Sequence, residues 1–236
     1  MIEINDLFKK YGNTVATDVP QLSISSGERI GLVGNNGAGK TTLISLMLDL
    51  IKADRGSVRI FDDVITENEN WKNHISAFLD ETFVIDYLTA DEYFKFIARV
   101  REIPYEEMDQ RLRPLDQFFN DQIRGQKKYI RDLSKGNKKK VGIAGALLAN
   151  PKILYLDEPF ANLDPSSQYI LQKIIASQPA DMTIFVSSHD LTHISEVCKR
   201  IVILENGAIV KDLETSANTL LELKSYFTAK SDVNEI

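Results

Sequence analysis

The sequence predicts an α/β fold: a mostly parallel sheet between helices, joined by a smaller antiparallel sheet and interrupted by a helical insertion. Three observations predict it. Short apolar runs rich in Ile, Val and Leu recur at 29–34, 75–79, 152–157, 183–188 and 200–204. Nearly uniform runs of that length are strands buried on both faces, the habit of a parallel sheet covered by helices. Residues 1–25 and 57–65 alternate instead and carry the turn residues Tyr11-Gly12-Asn13 and Asp62-Asp63, the pattern of antiparallel strands. From about 89 to 130 the alternation of strand and helix stops and helical spacing takes over. The 236 residues, 43% apolar and 26% charged, suit one large domain or a domain with an insertion, and exclude a peptide hormone, a disordered chain or a collagen.

Taken in order, the run at 29–34 leads through a glycine-rich loop into a helical run at 42–51. Thr89-Ala90-Asp91-Glu92 is a capping box, in which the Thr and Glu side chains each satisfy a backbone N–H left open at a helix start. Tyr93, Phe94, Phe96, Ile97 and Val100 follow at helical spacing as far as Pro104. A second helix runs from Tyr105 toward Phe119, bent or divided by Pro114, which lacks a backbone N–H. Asn206-Gly207 separates Ile201-Val202-Ile203-Leu204 from Ala208-Ile209-Val210, and this pair accepts the positive φ angles of a type I′ hairpin. An amphipathic helix over 215–227 precedes a polar tail, and no internal repeat or low-complexity tract occurs.

Charge and cysteine narrow the function classes. With 28 Lys and Arg against 34 Asp and Glu the formal charge is -6, so the chain lacks the global basic footprint of a protein that wraps a polyanion, and no nucleic acid partner is expected. The one cysteine, Cys198, can form no intrachain disulfide, which fits a reducing cytosol. Met1-Ile2-Glu3-Ile4-Asn5-Asp6 has neither the basic start nor the apolar stretch of a signal peptide, so the chain is expected to stay in the cell. Its longest apolar run, 141–149, is far short of the roughly 20 residues of a spanning helix.

Gly34-Asn35-Asn36-Gly37-Ala38-Gly39-Lys40-Thr41 satisfies G-x-x-x-x-G-K-[ST] directly after a strand and before a helix. Glycines let the backbone curl so that successive N–H groups point at phosphate oxygens, and the helix start adds partial positive charge. Lys40 would reach the β and γ phosphates and the Thr41 hydroxyl would ligate Mg²⁺. The alternative is a glycine-rich turn with an incidental lysine. Ile153-Leu154-Tyr155-Leu156-Asp157-Glu158 is an apolar strand ending in two acids, and in a parallel sheet the carboxyl ends of strands face the ligand crevice. Asp157 fits the Mg²⁺ shell and Glu158 could polarise a water for attack on the γ phosphate, although such a pair is otherwise a solvated loop start.

Three further stretches join these: Leu133-Ser134-Lys135-Gly136-Asn137, Asn162-Leu163-Asp164, and Ser187-Ser188-His189. Together they make the whole chain resemble an ATP-binding cassette (ABC) ATPase subunit, in the order aromatic A-loop, Walker A, Q-loop, helical subdomain, signature, Walker B with catalytic Glu, D-loop and switch His. The resemblance implies a P-loop NTPase core in a single domain over 1–236. The core with its antiparallel β subdomain would occupy 1–80 and 141–212, the helical subdomain about 81–140, and a C-terminal helix about 213–228. It implies that Tyr11 stacks on adenine, where a strand-end tyrosine beside a turn is the alternative. Residues Gly34, Asn35, Asn36, Gly37, Ala38, Gly39, Lys40, Thr41 and Thr42 would bind nucleotide. Ser134 and Gly136 would meet the γ phosphate of a nucleotide on a second subunit, a role compatible with Ser134 capping a helix. Asp164 would communicate across that dimer, and His189 would bond the γ phosphate and the attacking water. The implied cofactors are ATP and Mg²⁺. The implied partners are a second ATP-binding subunit, expected as a homodimer, and a separate transmembrane permease, which places the chain on the cytoplasmic face of the cell membrane.

Two departures qualify the resemblance. Lys135 and Asn137 stand where the signature commonly has Gly and Gln, and Ser-Lys-Gly looks like the ATPases of ABC-2 type exporters, which favours export. Asp80 stands where the Q-loop has the Gln that ligates Mg²⁺; a register one residue along would bring Glu81 to the site instead. Arg124, Lys127, Lys128, Arg131, Lys135, Lys138, Lys139 and Lys140 face one acid, Asp132, and read as a solvated helix face that raises the local potential, with nucleic acid or anionic lipid as the alternative. His189 and His193 are spaced as zinc ligands, but the acid and the third ligand of such a motif are missing. The rivals are a soluble ABC ATPase acting on a ribosome, DNA or protein assembly, an ATP-holding module without turnover, which Glu158 and His189 argue against, and a GTPase, for which Asn137-Lys138-Lys139-Lys140 lacks the needed Asp.

Overall fold

The computed structural model describes residues 1–216 together with Thr219 and Leu223. Along the chain run β1 (Ile2–Tyr11), β2 (Thr14–Ile24), β3 (Arg29–Val33), α1 (Lys40–Met47), β4 (Arg55–Ile60) and β5 (Asp63–Val64). Next come β6 (Ile75–Phe78), α2 (Ala90–Val100), α3 (Tyr105–Leu112), α4 (Asp116–Phe119), α5 (Lys135–Leu148), β7 (Ile153–Leu156) and α6 (Pro165–Ala176). The series ends with β8 (Thr183–Ser188), α7 (Leu191–Val197), β9 (Arg200–Glu205) and β10 (Ala208–Glu214). These elements fall into two compact units, one of Met1–Trp71 with Phe185–Ile236, the other Lys72–Ile184.

In the first unit the strand order is β5-β4-β1-β2-β10-β9-β3. Strand β1 pairs antiparallel with β2 and with β4, and β4 with β5. Left-handed residues make these turns: Gly12 at φ 57° and Phe61 at φ 58°. The β9–β10 hairpin turns on Asn206 (φ 49°) and Gly207 (φ 82°), the two positive angles expected of a type I′ turn. Strand β3 runs parallel to β9, and Ile30, Leu32 and Val33 are buried with Ile201, Val202, Ile203 and Leu204, as two-faced burial demands. Gly31 is required by α7, because a Cβ there would collide with the Ile194 side chain. Residues 213 and 214 of the expected C-terminal helix belong to β10; Thr219 and Leu223 are helical and buried, and most of the rest of 213–228 lies outside the described residues.

In the second unit β6 and β7 are parallel, with Ile75 opposite Ile153 and Phe78 opposite Leu156. Thr89 caps α2 in the expected box: its Oγ1 accepts from the Glu92 N–H at 3.3 Å, and the Thr89 N–H donates back to Glu92 Oε2 at 2.8 Å. Pro114 divides the second helix, for α3 stops at Leu112 and a 3-10 turn at Arg113–Leu115 carries the chain into α4. Phe94 of α2 meets Phe119 of α4 with ring centroids 5.8 Å apart, and each such buried ring contributes about 2–3 kcal/mol. Two glycines let α5 approach its neighbours closely. A Cβ at Gly142 would overlap the Phe78 ring, and one at Gly145 would stand 2.7 Å from Ile97 and 2.8 Å from Tyr93. Among the described residues no helix is long and apolar enough to cross a membrane.

Candidate functional site

The first unit supplies a loop built from backbone. Residues 34–39 leave the carboxyl end of β3 and end in Gly39, whose φ of 103° makes it the left-handed entry to α1. Gly34 and Gly39 are fixed by close approach, since a Cβ on either would strike a carbonyl oxygen, of Leu204 and of Ala16 respectively. Gly37, at φ 83°, faces open space. The β9–β10 turn pins the loop from outside through Gly207 N–H to the Ala38 carbonyl at 2.9 Å. Lys40 is 6% exposed and folds back to donate to the Gly34 carbonyl at 2.7 Å and the Asn35 carbonyl at 3.4 Å. Asn35, Asn36 and Thr41 are exposed and Thr42 is half-buried. Tyr11 ends β1 opposite Thr14, two residues before Ala16, and its exposed ring has Lys9 Nζ 5.5 Å from the centroid. His189 is exposed directly after β8, while Asp190 caps α7 by accepting from the Thr192 N–H at 2.8 Å.

The second unit supplies the acids. Asp157 N–H donates to the Phe78 carbonyl at 2.8 Å, extending the β6–β7 pairing so that the loop starting at Asp80 and the pair Asp157-Glu158 leave adjacent strand ends. Asp157 is 5% exposed. Glu158 has φ 45°, a left-handed conformation that costs a non-glycine residue about 1–3 kcal/mol. Asp80 and Glu81 diverge. Asp80 is exposed and accepts from the Thr82 N–H at 2.7 Å; that bond, then the Thr82 hydroxyl, holds its carboxyl below the usual range. Glu81 turns inward, its side chain 14% exposed and its Oε1 3.7 Å from Lys139 Nζ.

The signature segment lies at the start of α5. Ser134 Oγ accepts from the Asn137 N–H at 3.2 Å, the capping bond, and Gly136 packs where a Cβ would stand 2.9 Å from the Asn162 carbonyl. Asp164 caps α6: it accepts from the Ser166 and Ser167 hydroxyls, both at 2.6 Å, and from the Ser167 N–H at 3.0 Å, and these bonds hold its carboxyl far below the usual range.

The solvated face expected of 124–140 is corrected at three positions. Arg124 is bonded to Asp109 and to Asp116, the second at 2.9 Å, and Lys139 and Lys140 are 4% and 5% exposed. Lys139 Nζ donates to the Glu158 carbonyl at 2.7 Å, and Lys140 Nζ lies 5.3 Å from the Phe118 ring centroid. Burial pushes the Lys139 pKa down, against the opposing pull of Glu81, Glu158 and Asp80. Sequence reasoning missed Lys139 because a run of cations gives no sign of which one turns inward. The available signal was Gly142, one helical turn on, since a small residue marks the packed face.

The residues present fit a nucleotide and a hard cation. The loop at 34–39 is a cradle that only glycines permit at its two tight positions, with N–H groups and an ammonium as its chemistry. The Thr41 hydroxyl in the first unit and the Asp157 carboxylate in the second are each, taken separately, an oxygen donor of the kind Mg²⁺ takes, an ion that keeps most of its shell as water and phosphate oxygen. Among the described residues no group of three or more His, Cys, Asp or Glu side chains forms a metal cage.

Comparison with known proteins gives the family. The family model described as ABC transporter matches residues 18–161. An uncharacterised ABC transporter ATP-binding protein of Nostoc sp. is 36% identical over 191 residues, 80% of this chain and 57% of that protein. The chain thus spans little more than half the length of that relative. A bacitracin transport ATP-binding protein of Enterococcus faecalis is 30% identical over 220 residues, 92% of this chain and 70% of the relative. Among solved structures, an ATP binding subunit of an ABC transporter superposes with a TM-score of 0.81 at 28% identity, covering 91% of this chain and 90% of that one. The glycine-rich loop after β3 and the paired acids after β7 both lie within the matched residues, and that match places the chain in the ABC transporter family.

Proposed function

We propose that the chain binds ATP with Mg²⁺, hydrolyses it with Glu158 as general base and His189 beside the γ phosphate, and drives a separate membrane permease by closing against a second cassette. The observation that carries this reading is the loop at 34–39, whose left-handed Gly39 begins α1 and whose Lys40 ammonium rests on backbone carbonyls. Those carbonyls are weak partners that a phosphate would replace with charge-assisted bonds. Thr41 and Asp157 would hold Mg²⁺, with Asp80 adding an oxygen; when bound, the ion neutralises phosphate charge. Tyr11 would stack on adenine. Ser134 and Gly136 would meet the γ phosphate held by the second cassette, with α5 presenting its N-terminus to the anion, and Asp164 would stand at the same closure.

An open groove of about 210 Å³ in the second unit suits the permease. Phe83, Phe96 and Val100, 65%, 46% and 63% exposed, line it with Phe78, Val84 and Ile97. Apolar surface of this kind marks an interaction site. The relative's name gives transport but no direction; the Ser134-Lys135-Gly136 variant supports export. A chain so docked would sit at the cytoplasmic face of the membrane.

Nucleotide binding and turnover test the reading. Lys40→Ala should weaken ATP binding, whereas Glu158→Gln should keep it, lose turnover and elute as a dimer in size-exclusion chromatography with ATP-Mg²⁺. Unchanged hydrolysis by Glu158→Gln sinks the assignment of the base. For the partner, Val100→Glu should stop a polytopic membrane protein from co-purifying in mild detergent.

A further inference from the structure

Lys139 is a buried cation that neither capping nor phosphate binding calls for. It lies three residues before Gly142 on α5, on the face that the missing Cβ of Gly142 presses against Phe78. Its Nζ lies over that ring, 5.9 Å from the centroid, and the ammonium reaches the ends of β6 and β7. There it meets the Glu158 carbonyl at 2.7 Å and Glu81 Oε1 at 3.7 Å, and that oxygen is buried with no hydrogen-bond partner of its own. A methionine would fill the same space without the desolvation that a charge suffers, so the packing alone does not explain an ammonium here. The carbonyl it holds belongs to a residue in left-handed backbone just before Pro159, a conformation that must be held by its surroundings. Gripping that peptide sets the direction in which the Glu158 side chain leaves the backbone. The other end of the grip is Glu81, two residues from Phe83 and three from Val84 in the groove.

We propose that Lys139 is a positioning residue for Glu158: its ammonium, anchored by Glu81 on the groove loop, holds the Glu158 carbonyl and so aims the carboxylate that activates water. This rests on the reading of Glu158 as the general base. It makes the Glu81 loop, the part of the groove that an occupant would press, the far end of a three-residue link to the catalytic carboxylate.

Steady-state ATP hydrolysis, ATP affinity and thermal midpoint of the purified full chain test it. Lys139→Met keeps the stem and removes the donor. It should lower kcat about tenfold, the scale of a small misplacement of a reacting group, with KM within about twofold. Lys139→Arg, which restores a donor, should recover kcat to within about threefold of the parent. Glu81→Gln should lower kcat about threefold alone and add nothing in the Lys139→Met background, because the two act as one unit. Parent-like kcat in Lys139→Met overturns the proposal, and so does a loss in which kcat, KM and thermal midpoint fall together without rescue by arginine. If Lys139→Met does not fold, parent-like kcat in Glu81→Gln overturns it alone. Glu158→Gln is measured beside them: if it hydrolyses ATP at the parent rate, the reading of the base has failed, a result separate from any behaviour of Lys139.

Discussion

Among the described residues, each unit of the molecule buries a lysine against a backbone carbonyl. Lys40 in the first is 6% exposed and 2.7 Å from the Gly34 carbonyl; Lys139 in the second is 4% exposed and 2.7 Å from the Glu158 carbonyl. Their settings differ. Around Lys40 the site is made of backbone: a left-handed glycine at the helix start, a loop pinned through Ala38 and Gly207, and glycines excluded from substitution by carbonyl oxygens. Around Lys139 it is made of side chains: Glu81, the Phe78 ring and a glutamate held in left-handed backbone. The difference teaches that a backbone-built loop has its N–H groups and helix start fixed by the fold. Around Lys139 the contacts run through side chains, to Glu81 by charge and to the Glu158 carbonyl by a hydrogen bond, so they can be shifted by whatever moves one partner.

The largest expected effect separates the two lysines by what they act on. Lys40→Ala should weaken ATP binding by about 100-fold, the loss of charge-assisted bonds to phosphate, while Lys139→Met should leave the dissociation constant within about twofold. Equal losses, measured by titration with a fluorescent ATP analogue, would erase the distinction. Next come the two crowded glycines. Gly39→Ala drives a Cβ into the Ala16 carbonyl at a φ of 103° and should cost about 3 kcal/mol in urea unfolding. Gly142→Ala meets the Phe78 ring, gains helix propensity and should cost only about 1 kcal/mol. A larger loss at Gly142 would mean that the second unit is as rigid as the first.

The smallest effect is electrostatic and confined to the α6 cap. The Ser166 hydroxyl, then the Ser167 hydroxyl and N–H, depress the folded pKa of Asp164. Its stabilisation is therefore complete above the unfolded value of about 3.9 and is lost as pH falls through the lower folded value. Asp164→Asn, an equally good cap in other respects, should lower the thermal midpoint by roughly 1–2 °C at pH 6, and the gap should close in strong acid. A gap that widens on acidification contradicts the depressed carboxyl.

Much of this molecule is legible in the chain itself. Strands β3, β6, β7, β8 and β9 fall within a residue of the apolar runs that announce them, because burial on both faces leaves a local signature. The Thr89 box, the Pro114 division, the Asn206-Gly207 turn and the glycine-rich loop into α1 are equally local, each set by steric or hydrogen-bond rules acting across a few residues. Tertiary structure alone decided which cations of 124–140 are buried and which of Asp80 and Glu81 turns inward. Those choices depend on partners far along the chain: Lys139 finds its carbonyl 19 residues away and its carboxylate on a different element. Lys139 enters the interior where an opposite charge and an acceptor wait, and no run of neighbouring residues records that.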